Sequence, residues 1–308
     1  MTDPLPNAIC IMGPTASGKT DLAIELAQHI NGEVISVDSA LVFQDMNIGT
    51  AKPTMDERQG IPHWLIDILS PEQSYSVSDF IIDAESKIRE ILVKGKIPIL
   101  AGGTMMYFNG LINGISQIPA SDAVTREKVK SLIEEQGLES VHAQLAQIDP
   151  EAAQRLHPND TQRVSRAMEV YLATGHSLTH WQQQKATPSE FNFTQFAIMP
   201  TDRSLLHQAI ERRFDLMLEK GFIDEVKFLL EKYQLHEDLP ALRSVGYRQI
   251  FEYLKGKTTF NEMRELGIIA TRQLAKRQIT WLRGWENLTN LETGDIKNLS
   301  IVLKKVGT

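Results

Sequence analysis

The sequence predicts an α/β fold, a largely parallel sheet flanked by helices with an all-helical subdomain inserted in it, and three observations predict it. In the first third, short apolar runs alternate with amphipathic segments. From residue 121 to about 187 the strand signals stop and the chain turns helical, polar and charge-rich. At Phe193 to Met199 an apolar run returns that can rejoin the sheet. The expected divisions are 1–120 for the first part of the core, 121–188 for the helical insertion and 189–308 for a second, mostly helical part of the core.

The elements follow in order. Ala8 to Met12 reads as a buried strand. Lys19 to Ile30 places Leu22, Ala23, Leu26, Ala27 and Ile30 on one helical face, with Gly32 as the stop. Glu33 to Val37 is the second strand and ends at Asp38. Phe80 to Val93 carries Ile81, Ala84, Ile88, Ile91 and Leu92 at helical spacing, and Ile97 to Ala101 is another buried strand running into Gly102-Gly103-Thr104. Breaks at Gly137, Asp149-Pro150, His157-Pro158 and Thr174-Gly175 divide the insertion. A capping box, Thr259 with Glu262, opens a long helix that runs to about Trp285.

Composition narrows the function. With 42% apolar and 23% charged residues, the 308-residue chain is not a disordered, collagenous or coiled-coil protein. A net charge of −7 repels phosphate overall, so any nucleic-acid partner must be met by local basic patches. The single cysteine, Cys10, rules out an intramolecular disulfide and a Cys-based zinc site, and fits a reducing compartment. The start, Met1-Thr2-Asp3-Pro4, is acidic where an export signal is basic. The longest uncharged stretch, Ile97 to Ser121, is too rich in Gly, Asn and Gln to span a membrane. A cytoplasmic protein without membrane contact is expected.

Gly13-Pro14-Thr15-Ala16-Ser17-Gly18-Lys19-Thr20 matches G-x-x-x-x-G-K-[ST] between a buried strand and an amphipathic helix, the context that a phosphate-binding loop requires. Backbone N–H groups, the positive end of the helix and the Lys19 ammonium converge there on a di- or triphosphate, with the Thr20 hydroxyl on Mg²⁺. The sheet is therefore expected to be P-loop NTPase-like. Asp38 ends the second strand on the same edge, either as a base or metal partner or as a turn cap with Ser39. Thr104 reaches that edge after two glycines, with its hydroxyl expected to be free. Arg212 and Arg213 lie on the polar side of a helix whose apolar face is Leu206, Ile210, Phe214 and Met217. The loop and Asp38 alone would serve an NTP-dependent small-molecule kinase equally well.

Three basic elements suit RNA or DNA phosphates. Gln162-Arg163-Val164-Ser165-Arg166 sets two arginines three apart on a helix. Arg243-Ser244-Val245-Gly246-Tyr247-Arg248 interleaves two arginines with an aromatic, a platform for stacking and phosphate contact. From Arg264 to Arg283, five basic residues (Arg264, Arg272, Lys276, Arg277, Arg283) stand against one acid, with Trp281 and Trp285 nearby. No His pairs with a Cys at metal-ligand spacing, so no zinc site is expected, no Ser-His-Asp or Cys-His arrangement stands out, and Met105-Met106 reads as core filler.

Together with Asp38-Ser39-Ala40-Leu41-Val42, Ile48 to Pro53, His157 to Asp160 and Ala270 to Gln278, these segments resemble the tRNA dimethylallyltransferases of bacteria, the IPP transferase family, over nearly the whole chain. The resemblance implies transfer of a dimethylallyl group from dimethylallyl diphosphate to N6 of adenine 37, in tRNAs reading codons that begin with U. It implies that residues 13 to 20 hold the prenyl diphosphate without needing ATP. Carried over residue by residue, Asp38 resembles the general base and Arg213 the diphosphate-binding arginine, acting with Lys19 and Thr20. Thr104 and Arg126 resemble tRNA-contacting positions. So do the stretches Asp38 to Val42, Gln162 to Arg166 and Arg243 to Arg248. The insertion resembles the mobile subdomain that closes on the anticodon stem-loop. Departures are Phe43 for a tyrosine, Trp64 for a histidine and Ser244 for a cysteine. The eukaryotic relatives carry a C-terminal zinc finger, whereas this chain runs to Thr308 without Cys or His there, so a bacterial, monomeric, cytoplasmic enzyme is expected.

Overall fold

Five consecutive apolar residues with no exposed side chain place β1, Ala8–Met12, inside the sheet. The structure, a computed structural model, describes residues 8–116, 118–184 and 186–307; the acidic start at Met1 to Pro4 lies outside the described residues. α1, Lys19–Ile30, ends on Asn31 in the left-handed conformation, φ 54°. Gly32, expected as the stop, is instead the first residue of β2, Gly32–Val37. A Cβ on Gly32 would meet Ile99 Cδ1 at 2.7 Å, so the glycine serves close strand approach rather than the cap.

β3, His63–Trp64, is a two-residue edge strand that sequence patterning does not reveal. Trp64 Nε1 donates to the buried Glu33 carboxylate at 2.7 Å. α2, Val77–Val93, begins three residues earlier than expected because Ser76 and Asp79 form a capping box. β4, Ile97–Gly102, leads into α3, Met105–Asn113. The insertion contains α4, Ala123–Gln136; α5, Leu138–Ile148; α6, Pro150–Arg155; α7, Thr161–Thr174; and α8, Leu178–Gln183. The chain then supplies β5, Phe193–Met199; α9, Arg203–Glu219; α10, Phe222–Lys232; α11, Pro240–Arg243; α12, Tyr247–Leu254; α13, Phe260–Arg283; β6, Thr289–Glu292; and α14, Asn298–Val306.

The six strands run parallel in the order β3-β2-β4-β1-β5-β6, so the returning apolar run does rejoin the sheet, beside β1. Alternation along β1 feeds two layers. Ala8, Cys10 and Met12 pack with Phe80, Ile88 and Phe108 on one face, while Ile9 and Ile11 pack with Leu22, Leu26 and Val302 on the other. A third cluster, with Phe43, Phe214, Phe222 and Tyr247 at its centre, joins α9, α10, α12 and α13.

Two compact units result, 8–112 with 189–307, and 113–188. The helical unit has its own core of Val141, Leu145, Val164 and Val170. Asp149 ties it together from a buried position, capping α6 by accepting Ala152 N–H at 3.0 Å and taking the first-turn N–H of Thr179 in α8 at 2.8 Å. No helix among the described residues is long and apolar enough to cross a membrane.

Candidate active site

Three adjacent strands end in the residues that sequence patterning singles out. Val37 and Met12 both lie level with Gly102, so Asp38, Gly13 and Gly103 leave the carboxyl edge of β2, β1 and β4 side by side. Ligands of open α/β sheets bind at this edge.

The loop after β1 turns on two left-handed residues, Ala16 (φ 61°) and Gly18 (φ 83°). No side chain caps α1, which leaves its first-turn N–H groups open to an anion. Lys19 Nζ donates to Pro14 O at 3.1 Å, folding the ammonium back over the loop. Withdrawal from water lowers the Lys19 pKa to about 8; the Arg213 charge adds to that, and Asp38 opposes it. Arg213 is likewise pushed down by burial, against the pull of Asp38 and then Asp21. It makes no hydrogen bond or ion pair with any described residue, whereas its neighbour Arg212 is exposed. Lys19 and Arg213 lie within the influence of the Asp38 and Asp21 carboxylates, yet neither cation closes an ion pair among the described residues, so both are available to an anion. The α9 helix that carries Arg213 is seated by Leu206 and Ile210, which pack with Ala275 and Ile279 of α13 and with Ala16 of the loop itself.

Asp38 answers both readings of it. Its Oδ1 accepts Ala40 N–H at 2.9 Å and Leu41 N–H at 3.4 Å, a turn cap, while Oδ2 has no partner among the described residues. Thr104 differs from expectation, because its hydroxyl is not free. It accepts Ser39 N–H at 3.1 Å and donates to Ser39 Oγ at 3.4 Å, which ties the ends of β2 and β4 together. Met105 is core, but Met106 is 56% exposed and fills no core.

A residue outside the expected set links the two halves of this edge. Gln278, buried on α13, accepts Thr15 N–H through Oε1 at 3.0 Å and donates from Nε2 to Gly103 O at 2.8 Å. A Cβ on Gly103 would run into that amide. The sequence signal was a polar residue within the stripe Ala275, Gln278, Ile279 and Leu282, all of them buried.

The basic elements fare unequally. Arg243 and Arg248 are exposed and Ser244 and Val245 half-buried. Tyr247 is not a stacking platform: it is 1% exposed in the core, its hydroxyl donating to Glu225 at 2.6 Å. In the long helix, Arg264 pairs with Asp215 and Glu211, and Arg272 with Glu211, so acids on α9 cancel part of the expected basic excess. Lys276, Arg277 and Arg283 are exposed and without an ion-pair partner among the described residues. Within the helical unit, Gln162 and Arg163 are exposed, Ser165 is half-buried and Val164 is fully buried, so the Val164 side chain is core and not contact surface. Arg126 and Arg166 converge, Arg126 on Ser121 O at 3.0 Å and Arg166 on Pro119 O at 3.2 Å.

The donor set for a metal is sparse. The described residues contain no cluster of three or more His, Cys, Asp or Glu able to hold one. Thr20 is exposed in the first turn of α1 with an unpartnered hydroxyl, and Ser17 Oγ beside it is buried without a partner. These are hard oxygen donors, and they fit an Mg²⁺ ion that takes most of its ligands from phosphate and water.

A profile of the family described as IPP transferase matches residues 41–285. The fold is similar to the crystal structure of the full-length tRNA isopentenylpyrophosphate transferase of Bacillus halodurans (36% identity, TM-score 0.72, 97% of this chain and 95% of that one). It is similar to the tRNA delta(2)-isopentenylpyrophosphate transferase of Staphylococcus epidermidis (37% identity, TM-score 0.68, 97% of both chains). A eukaryotic dimethylallyltransferase acting on tRNA matches at 30% identity and TM-score 0.79, over 97% of this chain and 77% of that one. The profile starts beyond Asp38 and the phosphate loop, but the structural likenesses span nearly the whole chain.

Proposed function

Since the chain belongs to the IPP transferase family, it is a tRNA prenyltransferase, and we propose that it moves a dimethylallyl group from dimethylallyl diphosphate to N6 of adenine 37 in tRNAs reading codons that begin with U. Diphosphate is released. The observation that carries this reading is the pair of unpaired cations, Lys19 and Arg213, beside the uncapped start of α1 and the open Oδ2 of Asp38. The charges suit a diphosphate, and the carboxylate suits an amine that must lose a proton.

The adenine amine is a poor nucleophile because its lone pair is delocalised into the ring. Asp38 Oδ2 accepts the N6 proton as the nitrogen attacks the allylic carbon, while Oδ1 keeps the carboxylate oriented through Ala40 and Leu41. Lys19 and Arg213 take up the charge that grows on the departing diphosphate, which lets cationic character develop on the allyl group. Members of the family work on a diphosphate with a divalent metal. Thr20 would hold Mg²⁺ through its hydroxyl, and the ion would supply further charge neutralisation at the diphosphate. The adenine leaves its stack to reach the pocket, at a cost of roughly a few kcal/mol that a single-stranded anticodon loop lowers. Ser39, Ala40, Leu41, Thr104, Arg126, Gln162, Arg163, Ser165, Arg166, Arg243 and Arg248 meet the anticodon stem-loop. We further propose that the enzyme acts as a monomer in the cytoplasm, a reducing compartment that suits a chain with a single cysteine.

The test is a nucleotide-free incubation of protein, Mg²⁺, labelled dimethylallyl diphosphate and unmodified tRNA. Label should enter the RNA at one adenosine. RNA left unlabelled, with a small molecule phosphorylated once ATP is supplied, would favour the kinase reading, which the family match disfavours.

A further inference from the structure

Glu225 on α10 anchors a cluster that none of the roles above uses. Its Oε2 accepts Asn47 N–H at 2.9 Å and Ile48 N–H at 2.6 Å, and its Oε1 accepts Gly49 N–H at 3.1 Å and the Tyr247 hydroxyl at 2.6 Å. Three successive backbone N–H groups around one oxyanion form an anion nest, here filled from within the protein by a charge-assisted set of bonds. Position 49 admits only glycine, because a Cβ there would overlap the Phe222 ring. At the end of α10, Lys232 and the following Tyr233 hold Asp45 at 2.7 and 2.5 Å, with Asp45 itself in the left-handed region, φ 61°. Lys52, buried, closes the far end of the loop by pairing with Asp67 and donating to Phe43 O at 3.1 Å.

The loop gripped in this way is the continuation of Asp38 to Leu41, and Tyr247 belongs to the segment from Arg243 to Arg248. One carboxylate therefore joins the loop that follows Asp38 to Val42 to the segment from Arg243 to Arg248, and through that loop bears on both stretches of the core unit proposed to meet RNA. We propose that Glu225 is a positioning residue for the RNA acceptor, fixing these two stretches in a single relative geometry before tRNA arrives. The inference rests on the proposed function. Freed from Glu225, the Asn47 to Gly49 backbone would have three N–H groups to re-satisfy and the loop would sample several conformations, so RNA binding would bear the ordering cost. The donor cradle, built from residues 13 to 20 and α9, makes no bond to Glu225 and would be spared.

Steady-state kinetics on the full chain, varying tRNA and dimethylallyl diphosphate in turn, tests this with Glu225→Gln and Tyr247→Phe. Glu225→Gln keeps the size but turns an acceptor into an N–H donor facing backbone N–H groups, and the tRNA KM should rise about tenfold. Tyr247→Phe keeps the buried ring and removes one bond, and a rise of about threefold is expected. In both, donor KM and kcat at saturating tRNA should stay within about twofold of wild type. An unchanged tRNA KM in both variants would overturn the inference, as would a parallel loss in donor KM and kcat, which would mean general loosening of the fold. Should Glu225→Gln fail to fold, Tyr247→Phe decides alone. A wild-type enzyme that leaves tRNA unlabelled would bring down the functional reading itself, and this inference with it.

Discussion

Gln278 and Thr15, 263 residues apart in sequence, meet through a 3.0 Å hydrogen bond that fixes the phosphate loop to α13. The same amide holds Gly103 O at 2.8 Å, one residue before Thr104. Its orientation is dictated by its partners, since a backbone N–H needs the oxygen and a carbonyl needs the nitrogen. A single side chain thus keeps the donor loop and the acceptor edge in register. Gln278→Leu is predicted to leave Thr15 N–H and Gly103 O unpaired, at about 1–3 kcal/mol each if both stay buried. Donor KM should rise and thermal stability fall together. Unchanged donor KM would show that the loop holds its shape without the clamp.

Asp38→Asn separates the two uses of that side chain. The amide oxygen can still cap Ala40 and Leu41, but the nitrogen cannot take a proton. A loss of about 10² to 10⁴ in kcat is expected, with tRNA binding retained. Single-turnover rates and a filter-binding titration measure the two separately. Wild-type turnover would remove Asp38 from proton transfer.

The depressed Lys19 pKa sets a pH dependence. The ammonium must be protonated to attract diphosphate, so donor kcat/KM should fall as pH rises through about 8 in the free enzyme. Bound donor stabilises the charged form, so the limb in kcat should lie at higher pH. Lys19→Ala should lower kcat/KM and abolish the limb. A limb that survives in the variant would belong to another group.

Legibility in the sequence followed the range of the interactions involved. The phosphate loop, α1, the capping box of α13 and the placement of Asp38 are set by neighbours a few residues away, and the pattern exposed them. Tyr247 misleads because an aromatic between arginines reads as surface, whereas its ring packs against Phe222 and its hydroxyl reaches Glu225, 22 residues earlier. The basic excess of the long helix was overestimated because its balancing acids, Glu211 and Asp215, lie on another helix. β3 and β6 are edge strands of two and four residues, too short for any alternation to emerge. The clamp made by Gln278 is not legible in side-chain patterning because its partners are backbone atoms.

Asp149 makes the helical unit acid-sensitive. Burial opposes its charge, but the bonds from Thr179 and Ala152 outweigh that and hold its pKa below the usual carboxylate range. The stabilisation is therefore complete above the unfolded-state value of about 3.9 and is lost as pH falls through the lower folded value. Asp149→Ala, which uncaps α6 and leaves the Thr179 N–H of α8 unpaired, should cost about 2–3 kcal/mol. Asp149→Asn should cost less and flatten the acid dependence. Thermal melts between neutral pH and strong acid distinguish these outcomes, and an alanine variant as stable as wild type would contradict the capping role.

The central claim is that residues 13 to 20, with Arg213, grip a prenyl diphosphate. A crystal structure of the protein grown with a non-hydrolysable dimethylallyl diphosphate analogue and ATP together tests it most directly. The diphosphate of the five-carbon analogue is expected against the start of α1, within reach of Lys19 and Arg213, with its allylic carbon facing Asp38. ATP lodged in the loop and the prenyl analogue absent from it would contradict the account.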